Sequence, residues 1–369
     1  MSNWEIWLDE PTGARIQLLE SVISFQATKI ANQPAPFSMT LPGEFDDALL
    51  RWDGVVEFWR RPANGSMRLF NTYFIRAIGR QDDPNGREVI TVSGMDSIYL
   101  LSGRIVAYDA GTAQTDMTDQ ADDMLKAMVV DNLGADATGA RNIAANGIAV
   151  AGDLAAGPSI TKQFSWRPLL EEMREITDKS RQAGTELYFD FVPSFGSDGL
   201  LDLTFTTYTG QIGMDRTADS DNPLYFGKEW GNLSQASYVE DHTDEVNYVY
   251  AGGQGIQDKR DVQEVSDTDR IGLSIWNRRE GFAYATDMTT PAAVLSRGNA
   301  YLEQYRPLRS FSGNLLDTQQ SRYGIDWQFG DRVTAQYGGQ EFDCMVDAVV
   351  FTVDELGQET LEARAEVEL

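Results

Sequence analysis

The sequence predicts an α+β protein, mainly β, with an antiparallel β domain at each end and α/β units inserted between them. Three observations lead there. Through residues 1–105, short alternating strands punctuated by turn residues recur at a spacing of about ten residues, the usual one for barrels and sandwiches. From residue 106 the apolar period lengthens to that of a helix. After residue 230 alternation returns, and it closes on Gly330-Asp331, a turn followed at once by Val333 and Ala335 alternating with Arg332 and Thr334.

The elements follow in order. Residues 4–8 and 16–18 around a turn at Pro11-Thr-Gly13 predict a hairpin, and 22–29 a further strand. Pro34 and Pro36 set off the alternating run 37–41. Strands over 54–59, 70–78 and 89–93, with turns at Pro62-Ala-Asn-Gly65 and Asp82-Asp-Pro-Asn-Gly86, complete a barrel or sandwich in a first domain, 1–105. A helical connecting segment, 106–160, comes next. Thr118 is its expected N-cap, Ala121, Met124, Leu125, Met128 and Val129 share one face, Gly134 ends the helix, and 134–160 reads as a loose connection.

A small α+β domain, 161–229, starts its helix at Trp166-Arg-Pro-Leu-Leu170, with Pro168 in the first turn where a missing N–H is harmless. Leu169, Leu170, Met173 and Ile176 form its apolar face, Gly184 stops it, and strands over 187–191 and 201–205 make a hairpin for it to pack on. The second β domain, 230–369, opens at Trp230-Gly-Asn-Leu233 and carries a helical insertion near 266–322. Within it, 246–250 is a strand turned by Gly252-Gly-Gln-Gly255. Thr290 caps a helix with Pro291 at its first position, Val294, Leu295, Tyr301, Leu302 and Tyr305 lie on one face, and Pro307 ends it. Strands over 344–353 and 360–367 finish the chain.

Composition bounds the function. A chain of 369 residues with 42% hydrophobic residues, eight Trp and seventeen Phe buries ample core and suggests two to four domains. With 57 acids against 30 bases the net charge is −27, so phosphate backbones are repelled. Only six of the bases are Lys, and an acidic, Lys-poor surface also serves solubility alone. The single cysteine, Cys344, rules out an intrachain disulfide and sits in an apolar alternation that predicts a buried strand thiol. The single histidine, His242, leaves little room for His-dependent catalysis or multi-His metal sites. The N-terminal residues have no signal-peptide pattern, and no apolar run reaches the ~18 residues of a membrane span.

Candidate chemistry reduces to structure. Glu171-Glu172, Asp122-Asp123 and Glu240-Asp241 are carboxylate pairs by adjacency only, and surface or loop roles account for them. Asp241-His-Thr-Asp244 has too few ligands for a zinc site. Asp83-Pro-Asn-Gly86 reads as a hairpin turn and not a calcium loop, and Gly252-Gly-Gln-Gly255 lacks the Lys-Ser/Thr of a phosphate loop. No catalytic residue, metal ligand or cofactor is expected.

Several segments resemble phage tail hub proteins, taken in order. They are the run 94–106 (Gly94-Met-Asp-Ser-Ile-Tyr-Leu-Leu-Ser-Gly-Arg-Ile-Val106), Trp166 and Pro168 in Trp166-Arg-Pro-Leu-Leu170, Trp230, Gly231 and Asn232 with Asn247 to Tyr250 and Gly252-Gly253, and Trp327, Gly330 and Asp331 within 323–335. Together they span about three quarters of the chain. The resemblance implies a baseplate or tail-tip hub in which each subunit contributes two tube-like β-barrels, so that a homotrimer forms a pseudo-sixfold ring continuing the tail tube. It further implies the tail tube or distal tail protein, the tape measure protein and tail fibre or tip proteins as partners, with DNA a passing cargo in an acidic lumen. The expected place is the virion tail tip, after assembly in the host cytoplasm. Twenty-four Arg against six Lys suit two-pronged contacts with carboxylates between subunits. Some relatives append a cell-wall hydrolase or glycan-binding domain, and with the last strands running up to Leu369 none is expected here. The alternative from a different class is a carbohydrate-active β protein, a binding module or hydrolase working through exposed Trp and acidic residues.

Overall fold

The computed structural model describes residues 3–62, 65–107 and 114–368. The chain divides into two compact units, one of residues 1–236 with 313–366 and one centred on 237–312.

The first unit begins with β1 (Trp4–Asp9), β2 (Arg15–Leu18), β3 (Ser24–Ile30), β4 (Pro36–Pro42), β5 (Val55–Arg60), β6 (Arg68–Asp82) and β7 (Glu88–Asp96). All neighbours are antiparallel, in the order β2-β1-β5-β6-β7-β4-β3. Alternation along β1 sends Trp4, Ile6 and Leu8 to one face, where Trp4 meets Phe25, Phe58, Phe70 and Phe351 edge-on at 5.1–6.3 Å. The turn at 82–86 is held by Asp83, whose Oδ1 accepts the Asn85 and Arg87 amides at 2.8 Å each. In the turn at 62–65, Ala63 and Asn64 lie outside the described residues.

The inserted part of this unit comprises α1 (Tyr99–Ser102), β8 (Thr115–Gln120), α2 (Ala121–Asn132), β9 (Ile148–Val150), β10 (Ser159–Phe164), α3 (Leu169–Gln182), β11 (Leu187–Phe195) and β12 (Leu201–Thr209). Met124, Leu125, Met128 and Val129 of α2 share one core with Met173 and Ile176 of α3 and with Phe189 and Phe205 of the hairpin. Thr118 does not cap α2. It pairs with Thr161 in the β8–β10 ladder, which keeps its backbone extended, and the helix starts three residues later with Gln120 at its cap. Residues expected as a loose connection contain β9, which adds in parallel to β12 through Leu203 and Ile148. Three residues are too few to show a period. The loop before β10 is tied down by buried Asp122, which accepts the Leu154 and Ala156 amides at 3.1 and 2.6 Å and pairs with Lys126.

Two short strands, β13 (Asp215–Arg216) and β14 (Tyr225–Gly227), precede β15 (Leu233–Asp241). The second unit has β16 (Tyr248–Gly252), β17 (Val262–Ser266), α4 (Thr268–Ile271), β18 (Glu280–Tyr284) and α5 (Pro291–Gln304). β16 is central, antiparallel to β17 and parallel to β18. Thr290 caps α5 by accepting the Ala293 amide at 3.3 Å, with Pro291 in its first turn. The helix lays Val294 on a core of Val249, Ala251, Ala283 and Ala285. Leu295, expected on that face, is 40% exposed. The chain returns along β19 (Leu308–Leu315), which pairs with β15.

The closing strands are β20 (Arg332–Tyr337), β21 (Gln340–Val353) and β22 (Glu359–Glu368). β21 is long enough to serve three neighbours, β20, β22 and β3. Its pairing with β3, from Ala348 opposite Ile30 to Val353 opposite Phe25, joins the strands of the two chain ends in a single sheet. The architecture is mainly β with several sheets, as the sequence predicts.

Candidate functional site

The densest concentration of signature residues surrounds the turn before β20. Trp327 is fully buried, donates from Nε1 to the Ser321 carbonyl at 2.9 Å, and stands edge-on to Phe226 at 5.5 Å and Tyr323 at 5.1 Å. Gly330 has φ +83°, and a Cβ there would come within 2.6 Å of the Ile212 Cβ. Asp331 is fully buried. Its Oδ1 accepts the Met214 amide at 2.8 Å, and its Oδ2 accepts the Gln328 amide and Arg216 Nε, each at 3.0 Å. Burial holds this carboxyl above the ordinary aspartate value, and the amides and Arg216 pull the other way. The site is an internal clasp between the 212–216 segment and β20.

A second signature segment meets the first through β14, which adds in parallel to β20. Asn232 is buried just beyond it, accepting the Gly227 amide at 2.9 Å and donating to the Tyr225 carbonyl at 3.0 Å. That bracket holds Phe226 against Trp327. Gly231 takes φ +69° so that the chain can double back, leaving Trp230 half exposed. Trp166 and Pro168 lie elsewhere. They form the entry to α3, with Trp166 exposed at φ +55° and Pro168 bridged to Ile105, flanked by Val106 N donating to Arg167 O at 2.8 Å.

Two charged clusters have no local sequence signal. Glu359 of β22 binds Arg60 of β5 through a 2.6 Å ion pair and accepts Trp4 Nε1, while the Arg60 guanidinium lies 4.5 Å over Phe351 and 5.6 Å over Tyr323. This joint clamps the first and last strands of the sheet region. The other cluster lies on the face of β1 and β5 opposite the aromatic core. Arg15 grips Glu57 with two bonds of 2.8 and 2.6 Å, beneath Phe195 at the tip of β11. Asp9, with no exposure, sits next to them, and burial first and the neighbouring Glu57 second push its carboxyl up to about 8.

The sign of the linkage is that of a raised acid. Between the ordinary 3.8 and about 8 the folded state binds the Asp9 proton more tightly than the unfolded chain does, so stability falls as pH rises through that window. Asp96, raised to about 8 by burial and then by the Asp190 charge, adds to the same slope. Thermal melts are expected to show the melting temperature falling from pH 5 to pH 8. Asp9→Asn should flatten part of that fall and raise the value at pH 8 by at least ~2–4 °C, the shift that ~1 kcal/mol makes in a large domain. Lower stability of the variant at pH 8 would contradict a protonated Asp9.

The carboxylate pairs considered from sequence have structural partners. Glu172 is buried against Lys162, and Glu240 holds Arg309 at 2.8 Å. His242 Nδ1 lies 2.8 Å from Glu245 Oε2, which raises the imidazole pKa, and Asp241 caps the turn at the Thr243 amide. Cys344 is fully buried on β21, its thiol pushed up to about 12 by burial. Among the described residues, no group of three or more His, Cys, Asp or Glu is placed to hold a metal ion.

The fold is similar to that of solved phage tail proteins along the whole chain. The tail protein from Neisseria meningitidis MC58 superposes with a TM-score of 0.52 at 12% identity, covering 99% of this chain and 97% of that one. The 43 kDa tail protein of prophage MuSo2 from Shewanella oneidensis gives 0.55 at 12% identity, covering 98% and 97%. Prophage tail protein gp18 from Listeria monocytogenes EGD-e gives 0.52 at 11% identity, covering 98% and 94%. No curated protein matches in sequence. The family described as Siphovirus ReqiPepy6 Gp37-like protein matches residues 3–365, and with that match and its tail-protein fold the chain belongs to that family of phage tail proteins.

Proposed function

We propose that this chain is the structural hub of a phage tail tip. Three copies form a pseudo-sixfold ring, each subunit giving two tube-like β domains, one from each end of its sequence. The ring continues the tail tube, contacts the distal tail and tape measure proteins on one side, and carries fibre or tip proteins on the other. Its work is mechanical, with neither catalysis nor cofactor. The observation that carries this reading is the β3–β21 pairing within a tail-protein fold, because it lays the β strands of both chain ends side by side in one continuous sheet, as two adjoining segments of a tube wall require. The net charge of −27 supports an acidic lumen that DNA traverses without being gripped.

Negative-stain electron microscopy of the purified chain, alone and mixed with tail tubes, tests the proposal. Threefold particles with a central hole are expected. Solid monomers under both conditions would overturn it.

A further inference from the structure

The second unit carries an apolar tip that its own core does not use. Between α4 and β18 the chain exposes Leu273, Ile275 and Trp276 at 69%, 88% and 83%. Single exposed apolar residues are ordinary, but three large ones on one turn mark an interaction surface. The turn is also rigidly built. Ser274 Oγ accepts the Trp276 amide at 3.0 Å, and Asn277 Nδ2 donates to the Arg270 carbonyl at 2.8 Å. Buried Asn247 accepts the Arg279 amide at 2.9 Å and donates to the Asn277 carbonyl. Such a tip loses little conformational freedom on docking, which favours binding. Arg279, exposed, stands beside it, next to Arg278, which is paired with Glu280 at 2.6 Å.

A groove of complementary character opens in the first unit. It measures about 790 Å³ and lies where the link from β2 to β3 meets the turn from β21 to β22. Leu18, Leu19, Val22 and Ile23 supply its apolar lining. Four carboxylates, Glu5, Glu20, Asp354 and Glu355, line it as well, against one base, Arg61. The volume suits a cluster of several large side chains.

We propose that the tip of one copy seats in this groove of the next copy, Trp276 and Ile275 filling the apolar lining and Arg279 meeting the acidic rim. The occupant is a second copy of this chain because an apolar tip flanked by Arg279 complements an apolar groove rimmed by carboxylates. A net charge of −27 opposes self-association everywhere else, so a local basic tip on an acidic rim selects the register. Tip and groove are different surfaces, so the contact is head-to-tail and closes into a ring when the rotation permits. The inference rests on the ring reading and names the contact that builds it.

The test is light scattering and analytical ultracentrifugation of the full chain. Trp276→Ser with Arg279→Glu is expected to weaken association about 30-fold or more, the effect of losing a central anchor, with an unchanged melting temperature because both residues are exposed. Glu20→Arg with Glu355→Arg should weaken it comparably. Combining Arg279→Glu with Glu355→Arg should recover part of the loss. A mixture of Trp276→Ser alone with the groove variant keeps one intact joint and should stop at dimers. Wild-type rings with an unaffected tip variant would overturn this contact and leave the ring reading standing. Absence of recovery in the charge-reversed combination would exclude the groove as the seat. A wild type that is monomeric alone and on tail tubes would overturn both.

Discussion

Asp331→Ala is expected to destabilise the first unit by about 3–5 kcal/mol, the range for removing one partner of a buried ion pair. The carboxylate serves three donors at once, the Met214 and Gln328 amides and Arg216 Nε. Alanine removes the one acceptor that serves all three in a partly buried place, and the Arg216 charge stays behind, 13% exposed. Asp331→Asn keeps one acceptor oxygen and the shape, so its loss should be intermediate. Asp178→Ala, which removes a surface ion pair with Arg181 at 3.4 Å, should cost no more than ~1 kcal/mol. Urea or guanidinium unfolding followed by tryptophan fluorescence measures all three. If Asp331→Ala and Asp178→Ala unfold at the same denaturant concentration, the clasp does not hold the unit together.

Gly94→Ala is also expected to be strongly damaging, for a steric reason. A Cβ at Gly94 would lie 1.8 Å from the Phe74 carbonyl oxygen and 2.9 Å from Phe37 Cε1. β7 is central, with β6 and β4 on its two sides, and the register of β6 against β7 slips between Ile75 and Ala77 next to this contact. Relief requires β6 to move, and β6 is paired on both edges, to β5 and to β7. Overpacking of this kind costs about 1–3 kcal/mol and sometimes more, and backbone in place of a flexible side chain puts it at the upper end. Gly79→Ala on β6 is the matched control, since a Cβ there meets only the Thr91 hydroxyl at 3.0 Å. Soluble yield and melting temperature should fall for Gly94→Ala and hold for Gly79→Ala. Two variants melting together would show that the sheet yields locally.

Much of the local structure was legible before any coordinates. The alternation of Trp4, Ile6 and Leu8 marks a strand with one buried face, Thr290-Pro291 announces a helix start, and Gly330-Asp331 marks a turn into a strand. Each signal works because backbone preference and side-chain period act within a few residues. Thr118 misled because its helix-capping chemistry competes with a strand partner, Thr161, forty-three residues away. The clasp was legible as a motif, but its role was not, because Met214, Arg216 and Ile212 lie more than a hundred residues from Asp331 and carry no pattern of their own.

The sequence by itself determined the class, most turns and helix faces and a strongly acidic character, because these follow from local propensity and from composition, and the resemblance of its segments to tail hub proteins pointed to the family. Only the tertiary structure decided that β3 pairs with β21, across three hundred residues. It also decided the fate of Asp9 and Glu57, which alternation places on the face away from the aromatic core. They are buried because the β11–β12 hairpin covers that face, Phe195 stacking on Trp59 at 6.2 Å and Leu201 closing on Gly13. Which strand pairs with which, and which face is covered, is settled by apolar surface and hydrogen bonds summed over distant segments. No window of neighbouring residues contains that sum.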